Sequence, residues 1–157
     1  MLRVVILMVG KTKADFVQQG LTLYQNRLRP YLKLSLRTVR EEKPRPGLSP
    51  DRIREREGMR LLAQIPRPAW VVVLELAGPL MTSEAFAQWL TSLEQDSRGP
   101  VVFVMGGHLG LSPAVLAAAD QRLSLSRFTF THELSRLILL EQLYRAMTIR
   151  AGHPYHL

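Results

Sequence analysis

The stretch whose reading decides the fold is "VVFVMGGHLGLSP", residues 101–113. Residues 101–105 are an unbroken apolar run rich in valine, as expected for a strand buried on both faces. Gly106, Gly107 and Gly110 follow, and Ser112-Pro113 is a helix start, with serine as N-cap and proline in the first turn. The order strand, glycine turn, helix predicts one unit of an α/β domain. It does not predict a dinucleotide site. Setting Gly107 and Gly110 on the G-x-G-x-x-G pattern puts Met105 where the first glycine belongs, and the turn lies in the final third of the chain. Two readings stay open from the motif itself: a tight turn without a ligand, or a wall that lets a ligand approach the backbone.

Working outward, the same alternation repeats. Residues 2–9 and 69–76 read as buried strands, and residues 31–39 as a half-exposed strand in which Leu32, Leu34 and Leu36 alternate with Lys33, Ser35 and Arg37. Val17, Leu21, Tyr24 and Leu28 recur at helical spacing, and Pro30 ends that helix. Residues 41–50 carry three prolines and a glycine and read as a mobile loop, after which Ser49-Pro50 opens a helix with a mostly solvated charged body. A helix over 83–94 puts Phe86, Trp89, Leu90 and Leu93 on one face, and another spans 112–120. Residues 123–130, "LSLSRFTF", begin as a strand whose alternation slips near Ser126-Arg127. The last helix spans about 132–150, and "GHPYHL" is a tail. The expectation is one α/β domain over residues 1–157 with a mainly parallel sheet. The last helix is apolar over more than one face, which suits either a dimer interface or a central place in the core.

The 157 residues include 46% hydrophobic and 22% charged, the balance of a globular chain. Cysteine is absent, which removes disulfides, thiolate metal sites and cysteine nucleophiles together. The run "VVILMV" is too short for a signal peptide, and no segment nears the ~20 apolar residues of a membrane span, so a cytoplasmic protein is expected. The net charge is +8, from 21 Lys+Arg against 13 Asp+Glu. That fits a solvated basic surface, and equally a polyanionic partner such as nucleic acid.

Other motifs say less. "GKT" at Gly10–Thr12 lacks the glycine a phosphate-binding loop needs at position 5, where Val5 stands, so a plain strand-to-helix turn is expected. The four histidines, His108, His132, His153 and His156, do not supply a metal set, and no metal is expected. Trp70, Phe86, Trp89 and Phe103 fall at core-like positions, Phe128 and Phe130 could join them, and Tyr155 is the aromatic best placed to stack on a base.

Three C-terminal stretches, "VFVMGGHLGLSP", "LSLSRFTFTHELSR" and "EQLYRAMTIRAGHPYH", together with "LELAG" at 74–78 and the opening "LRVVILMVGKTK", resemble the RlmH family over essentially the full length. These are SPOUT-class methyltransferases that modify N3 of a pseudouridine in 23S ribosomal RNA of the large subunit. The resemblance implies a SPOUT-type α/β knot, a mainly parallel sheet flanked by helices with a C-terminal trefoil knot. It implies a homodimer that binds S-adenosyl-L-methionine. Cofactor contacts carry over onto Leu74, the glycine loop at Gly106, Gly107 and Gly110, and the segment Leu125, Ser126, Arg127, Phe128, Thr129 and Phe130. The phase slip then has a reason: the segment leaves the sheet so that its backbone can hydrogen-bond the adenine edge. The chain departs from the family's common pattern at His108-Leu109, Thr131 and Leu157.

Methyl transfer from a sulfonium needs in-line positioning and a nucleophile without its proton, here the N3–H of pseudouridine. His132, Glu141, His153 and His156 are candidate bases, Arg136 and Arg145 are anion or phosphate partners, and Tyr155 is a tail contact. Sequence does not choose among them, and Glu141 could simply pair with Arg145 one helical turn on. Three other functions compete: a non-enzymatic RNA- or ribosome-binding protein of the same fold, a SPOUT methyltransferase with another RNA target, and a nicotinamide-dependent oxidoreductase, which the broken fingerprint disfavours.

Overall fold

The computed structural model describes residues 1–156; the His156 side chain and Leu157 lie outside the described residues. Five strands, β1 (Arg3–Val9), β2 (Lys33–Val39), β3 (Trp70–Leu74), β4 (Val101–Val104) and β5 (Gln121–Leu123), form one sheet in the order β2-β1-β4-β3-β5. All four pairings are parallel. The unbroken apolar runs in β1, β3 and β4 follow from this place in the sheet, because each is covered on both faces. Val4, Ile6 and Met8 point into one core, and Val5, Leu7 and Val9 into the other.

Helices α1 (Asp15–Leu28), α3 (Ser83–Asp96) and α5 (His132–Arg150) cover the first face, and α2 (Pro50–Ala63) and α4 (Pro113–Ala117) the second. Ser49 and Ser112 cap α2 and α4 as their sequences predict, each accepting a backbone N–H through its hydroxyl. Helix α5 runs between α1 and α3 on top of the sheet. Its broad apolar surface is thereby largely accounted for: Leu139, Leu140, Leu143, Ala146 and Met147 are buried, while Leu134, Leu137 and Ile138 stay half-buried. Gly20 of α1 lets the two helices touch, since a Cβ there would lie 2.6 Å from Leu137.

Several expectations are corrected. The chain leaves the sheet at Ser124, not near Ser126, because the Ser124 N–H donates to Pro79 O at 2.9 Å instead of continuing the ladder. Helix α4 is five residues long, closed at Ala118. The charged body of α2 is not wholly solvated: Glu57 is buried, with its Oε2 accepting the Glu42 N–H at 3.0 Å. The 41–50 loop is tied down at Glu42 by Arg56 and Arg60. Phe128 is not a core residue but is 82% exposed. The tail turns back as a 3₁₀ turn, Pro154–His156.

Candidate active site

The loops following β4, β3 and β5 meet at the carboxyl ends of three neighbouring strands, where open parallel sheets bind ligands. They enclose two adjoining clefts. One, about 170 Å³, is lined by residues 74–76, 124–126 and 128–130. The other, about 230 Å³, is lined by Met105, the glycine loop, His108, Leu111 and His132. Leu74, Phe130 and Ser135 line both.

The glycines are required by close backbone approach. A Cβ on Gly106 would lie 2.7 Å from the Gly110 carbonyl carbon, and Gly110 itself sits at φ +83°. Gly110 N–H closes the turn onto Gly107 O at 3.0 Å. Across the cleft, a Cβ on Gly78 would lie 3.0 Å from the Leu123 carbonyl carbon. The 124–130 segment is held by its own serines: Ser124 Oγ donates to Ser126 O at 3.0 Å, and Ser126 Oγ accepts the Phe128 N–H at 2.9 Å. The Arg127 guanidinium donates to Leu76 O, joining the β3 and β5 loops. Among the described residues, no backbone group pairs with the N–H of Leu125 or Phe130. Apolar walls with unpaired amide donors at their edge fit a purine and a thioether chain.

Behind the glycine loop sits Glu57. A Cβ on Gly107 would lie 3.4 Å from its Oε1. Burial pushes the Glu57 carboxyl above its ordinary range, against the Glu42 N–H bond that lowers it.

The start of α5 is clamped to the turn after β1. Thr131 caps it, its Oγ1 accepting the Leu134 N–H at 3.2 Å. Glu133 Oε1 accepts the N–H groups of Lys13 and Ala14 at 2.8 and 2.9 Å. Partial desolvation opposes ionisation of Glu133, but these N–H groups outweigh it and hold its carboxyl below the usual range. Arg136 donates to Val9 O at 2.6 Å and to Thr12 Oγ1 at 2.8 Å. His132 is left half-buried at the cleft. Burial, then the Arg136 charge, pulls its pKa below the ordinary histidine value, so its imidazole is neutral at neutral pH.

A second cluster gathers at the tail. His153 Nδ1 and Tyr31 OH are 2.8 Å apart. The Tyr155 ring packs edge-on to Tyr144 at 4.7 Å, and its hydroxyl lies 3.4 Å from both Glu141 Oε1 and Tyr24 OH. Hydrogen bonding to Tyr24 and then burial push the Tyr155 phenol up to about 12, so it stays protonated. The Arg145 guanidinium donates to Glu141 Oε1 from Nε at 3.1 Å, which holds its pKa above the ordinary arginine value, and sits 5.1 Å from the Tyr155 ring centroid.

The sequence-predicted residues therefore divide. Leu74, Gly106, Gly107, Gly110, Leu125, Ser126, Phe128, Thr129 and Phe130 line the clefts with His132, and Arg127 braces them. Glu141, Arg145, His153 and Tyr155 form the tail cluster. Arg136 belongs to neither. At 1% exposure, with its donors on its own chain, it is a structural clamp rather than an anion contact. His156 falls outside the described side chains. Sequence reasoning missed Met105, Leu111 and Ser135 as cleft residues. Ser135 had a signal, lying one turn after His132 on a helix whose start faces the cleft. Among the described residues, no group of three or more His, Cys, Asp or Glu could hold a metal ion.

A parallel α/β sheet with a glycine-walled cleft beyond its carboxyl edge is the arrangement in which α/β proteins bind nucleotide-like ligands. The comparisons with known proteins narrow that class. The family model "Predicted SPOUT methyltransferase" matches residues 2–156. The "Ribosomal RNA large subunit methyltransferase H" of Halothermothrix orenii is 41% identical over 99% of both chains. Its namesake from Desulfotalea psychrophila is 44% identical over 96% of this chain and 97% of that one. The crystal structure of a "Probable Methyltransferase" from Bordetella pertussis Tohama I shares the fold, with a TM-score of 0.58 at 14% identity, over 93% of this chain and 96% of that one. This chain belongs to the SPOUT methyltransferase family.

Proposed function

We propose that this enzyme transfers the methyl group of S-adenosyl-L-methionine to N3 of a pseudouridine in 23S ribosomal RNA, acting in the cytoplasm on the large subunit or assembled ribosome. The observation that carries the reading is the pair of adjoining clefts at the β4, β3 and β5 loops, walled by glycines whose backbones approach their neighbours closely. The names of the full-length relatives support the RNA. When bound, S-adenosyl-L-methionine supplies an electrophilic methyl group on a sulfonium.

The chain's own residues do the rest. Leu74, Leu125 and Phe130 hold the apolar parts of the cofactor, and the free N–H groups beside them meet its polar edge. His132 faces the same cleft with a neutral imidazole, the form that takes a proton from N3. Tyr155, protonated throughout the working range, donates a hydrogen bond, and Arg145 offers charge to the anion that N3 becomes.

These two sets do not meet within one chain. Nine residues of α5 separate His132 from Glu141, about 14 Å of helix and half a revolution around it. The tail cluster reaches a cleft only if it is another copy's cleft. We therefore read the enzyme as a homodimer with composite sites, each pairing one protomer's cofactor cleft with its partner's tail. The threaded C-terminal knot belongs to the same reading, supported by residues 124–126 and 128–130 lining a cleft with the β3 loop and by Phe130 and His132 lining one with the glycine loop.

The test is mass spectrometry of ribosomal RNA from a deletion strain, where one methyl group on a pseudouridine should be lost and return with the intact gene. Unchanged RNA methylation would overturn the reading.

A further inference from the structure

The protein's cations are unevenly sorted. Most arginines on α2, α5, β5 and the α3–β4 loop have a carboxylate partner, among them Arg52, Arg60, Arg98, Arg122 and Arg150. The cations without one concentrate on the β1–β2 side of the sheet. Arg3, Lys33, Arg37 and Arg67 form no ion pair among the described residues, and all four are exposed. They line one groove of about 430 Å³, at the amino ends of β1 and β2, together with Arg98. No aspartate or glutamate lines that groove. Lys33 and Arg37 lie four residues apart on the same face of edge strand β2, opposite Arg3 and Leu7 of β1.

Beyond the other end of the two strands lies a second groove, about 680 Å³, where Glu41 and Glu42 pair with Lys13 and Arg45 while Lys11, Arg40 and Lys43 are unpaired. It adjoins the Lys13-Ala14 turn that Glu133 grips, next to His132. The two grooves are joined by β2, seven residues or about 23 Å long. In the first groove the cations lie close with no carboxylate in the lining, and such like-charge repulsion is relieved by a polyanion.

We propose that the groove of Arg3, Lys33, Arg37 and Arg67 is a second RNA contact, which holds the phosphodiester backbone of the substrate at the end of the sheet remote from the methyl-transfer cleft. The β2 edge and the Lys11–Lys43 groove carry the strand from there toward His132. The inference rests on RNA being the substrate and adds where, apart from the reacting base, it is gripped. Edge-strand charges also discourage sheet-to-sheet pairing, and the experiment separates that role.

The variant is the full-length Lys33→Gln/Arg37→Gln/Arg67→Gln protein, whose three changes are at exposed positions. Its binding to purified large ribosomal subunits and to their extracted RNA is measured against salt concentration. Loss of three phosphate contacts predicts a slope of log affinity on log salt shallower by about 2, and about 100-fold weaker binding at 0.1 M salt. S-adenosyl-L-methionine affinity by calorimetry stays unchanged, because the cleft is untouched. Unchanged RNA affinity and slope overturn the proposal. So does self-association of the variant with RNA binding intact, which would assign the charges to edge protection. Loss of binding to anionic lipid vesicles with RNA binding intact would overturn it as well. Failure of the methyltransferase reading looks different: the wild type would bind RNA with the full salt slope and transfer no methyl group.

Discussion

Gly106 carries the sharpest constraint at the scale of single residues. An alanine methyl there would sit 2.7 Å from the Gly110 backbone, so the loop must open. Gly106→Ala is expected to weaken S-adenosyl-L-methionine binding at least 10-fold by calorimetry while the protein still folds, a loss of about 1.4 kcal/mol or more. His132 gives a pH prediction. Its lowered pKa means that the neutral base is present above that pKa and lost as pH falls through it, so activity declines on the acid side below the ordinary histidine range. His132→Gln should abolish that acid limb along with most of the rate. Tyr155, pushed up to about 12, should add no alkaline limb below pH 10. Tyr155→Phe or His153→Ala should lower methylation and leave cofactor affinity intact. At this scale the glycines were legible in the sequence because spacing alone marks a turn. The burial of Arg136 and Glu57 was not legible, since a charged residue in a helix reads as solvated until its neighbours are known.

Among the elements, α5 organises the site, and its position depends on the buried guanidinium of Arg136. Arg136→Met keeps the volume and removes bonds to Val9 O and Thr12 Oγ1. It should destabilise the fold by about 2–3 kcal/mol in urea unfolding, most of it from the Val9 carbonyl left buried without a donor. The span of α5, read from the sequence as about 132–150, matches His132–Arg150, and the structure adds the Thr131 cap at its start. The segment after β5 was only half legible. Its slip in alternation was visible at Ser126-Arg127, but the true departure at Ser124 depends on a bond to Pro79, forty-five residues away. The shortness of β5 is likewise set by its partner, since only residues 72–74 of β3 pair with it.

For the whole molecule, the alternating pattern of buried strands and helices made the parallel sheet legible, and the half-exposed pattern of residues 31–39 foretold the edge strand. Strand order was not legible, because it depends on which crossovers the helices can cover. Nor could sequence distinguish the two groups of catalytic candidates, His132 at the start of α5 and Glu141, Arg145, His153 and Tyr155 along its later turns and the tail. That division gives the molecule-scale prediction. Mixed and refolded together, the His132→Gln and Tyr155→Phe variants should regain about a quarter of wild-type activity, because half of a random dimer population is mixed and each mixed dimer rebuilds one intact site. An inactive mixture that forms dimers would place both residues in the same protomer's site.

The proposed reaction is methyl transfer to one pseudouridine of the large subunit. Its most direct test incubates the purified protein with isotopically labelled S-adenosyl-L-methionine and ribosomes from a strain lacking the gene, followed by mass spectrometry of the digested RNA. Label is expected on a single nucleoside, N3-methylpseudouridine of the large-subunit RNA. Label on another base, or none on RNA, would contradict it.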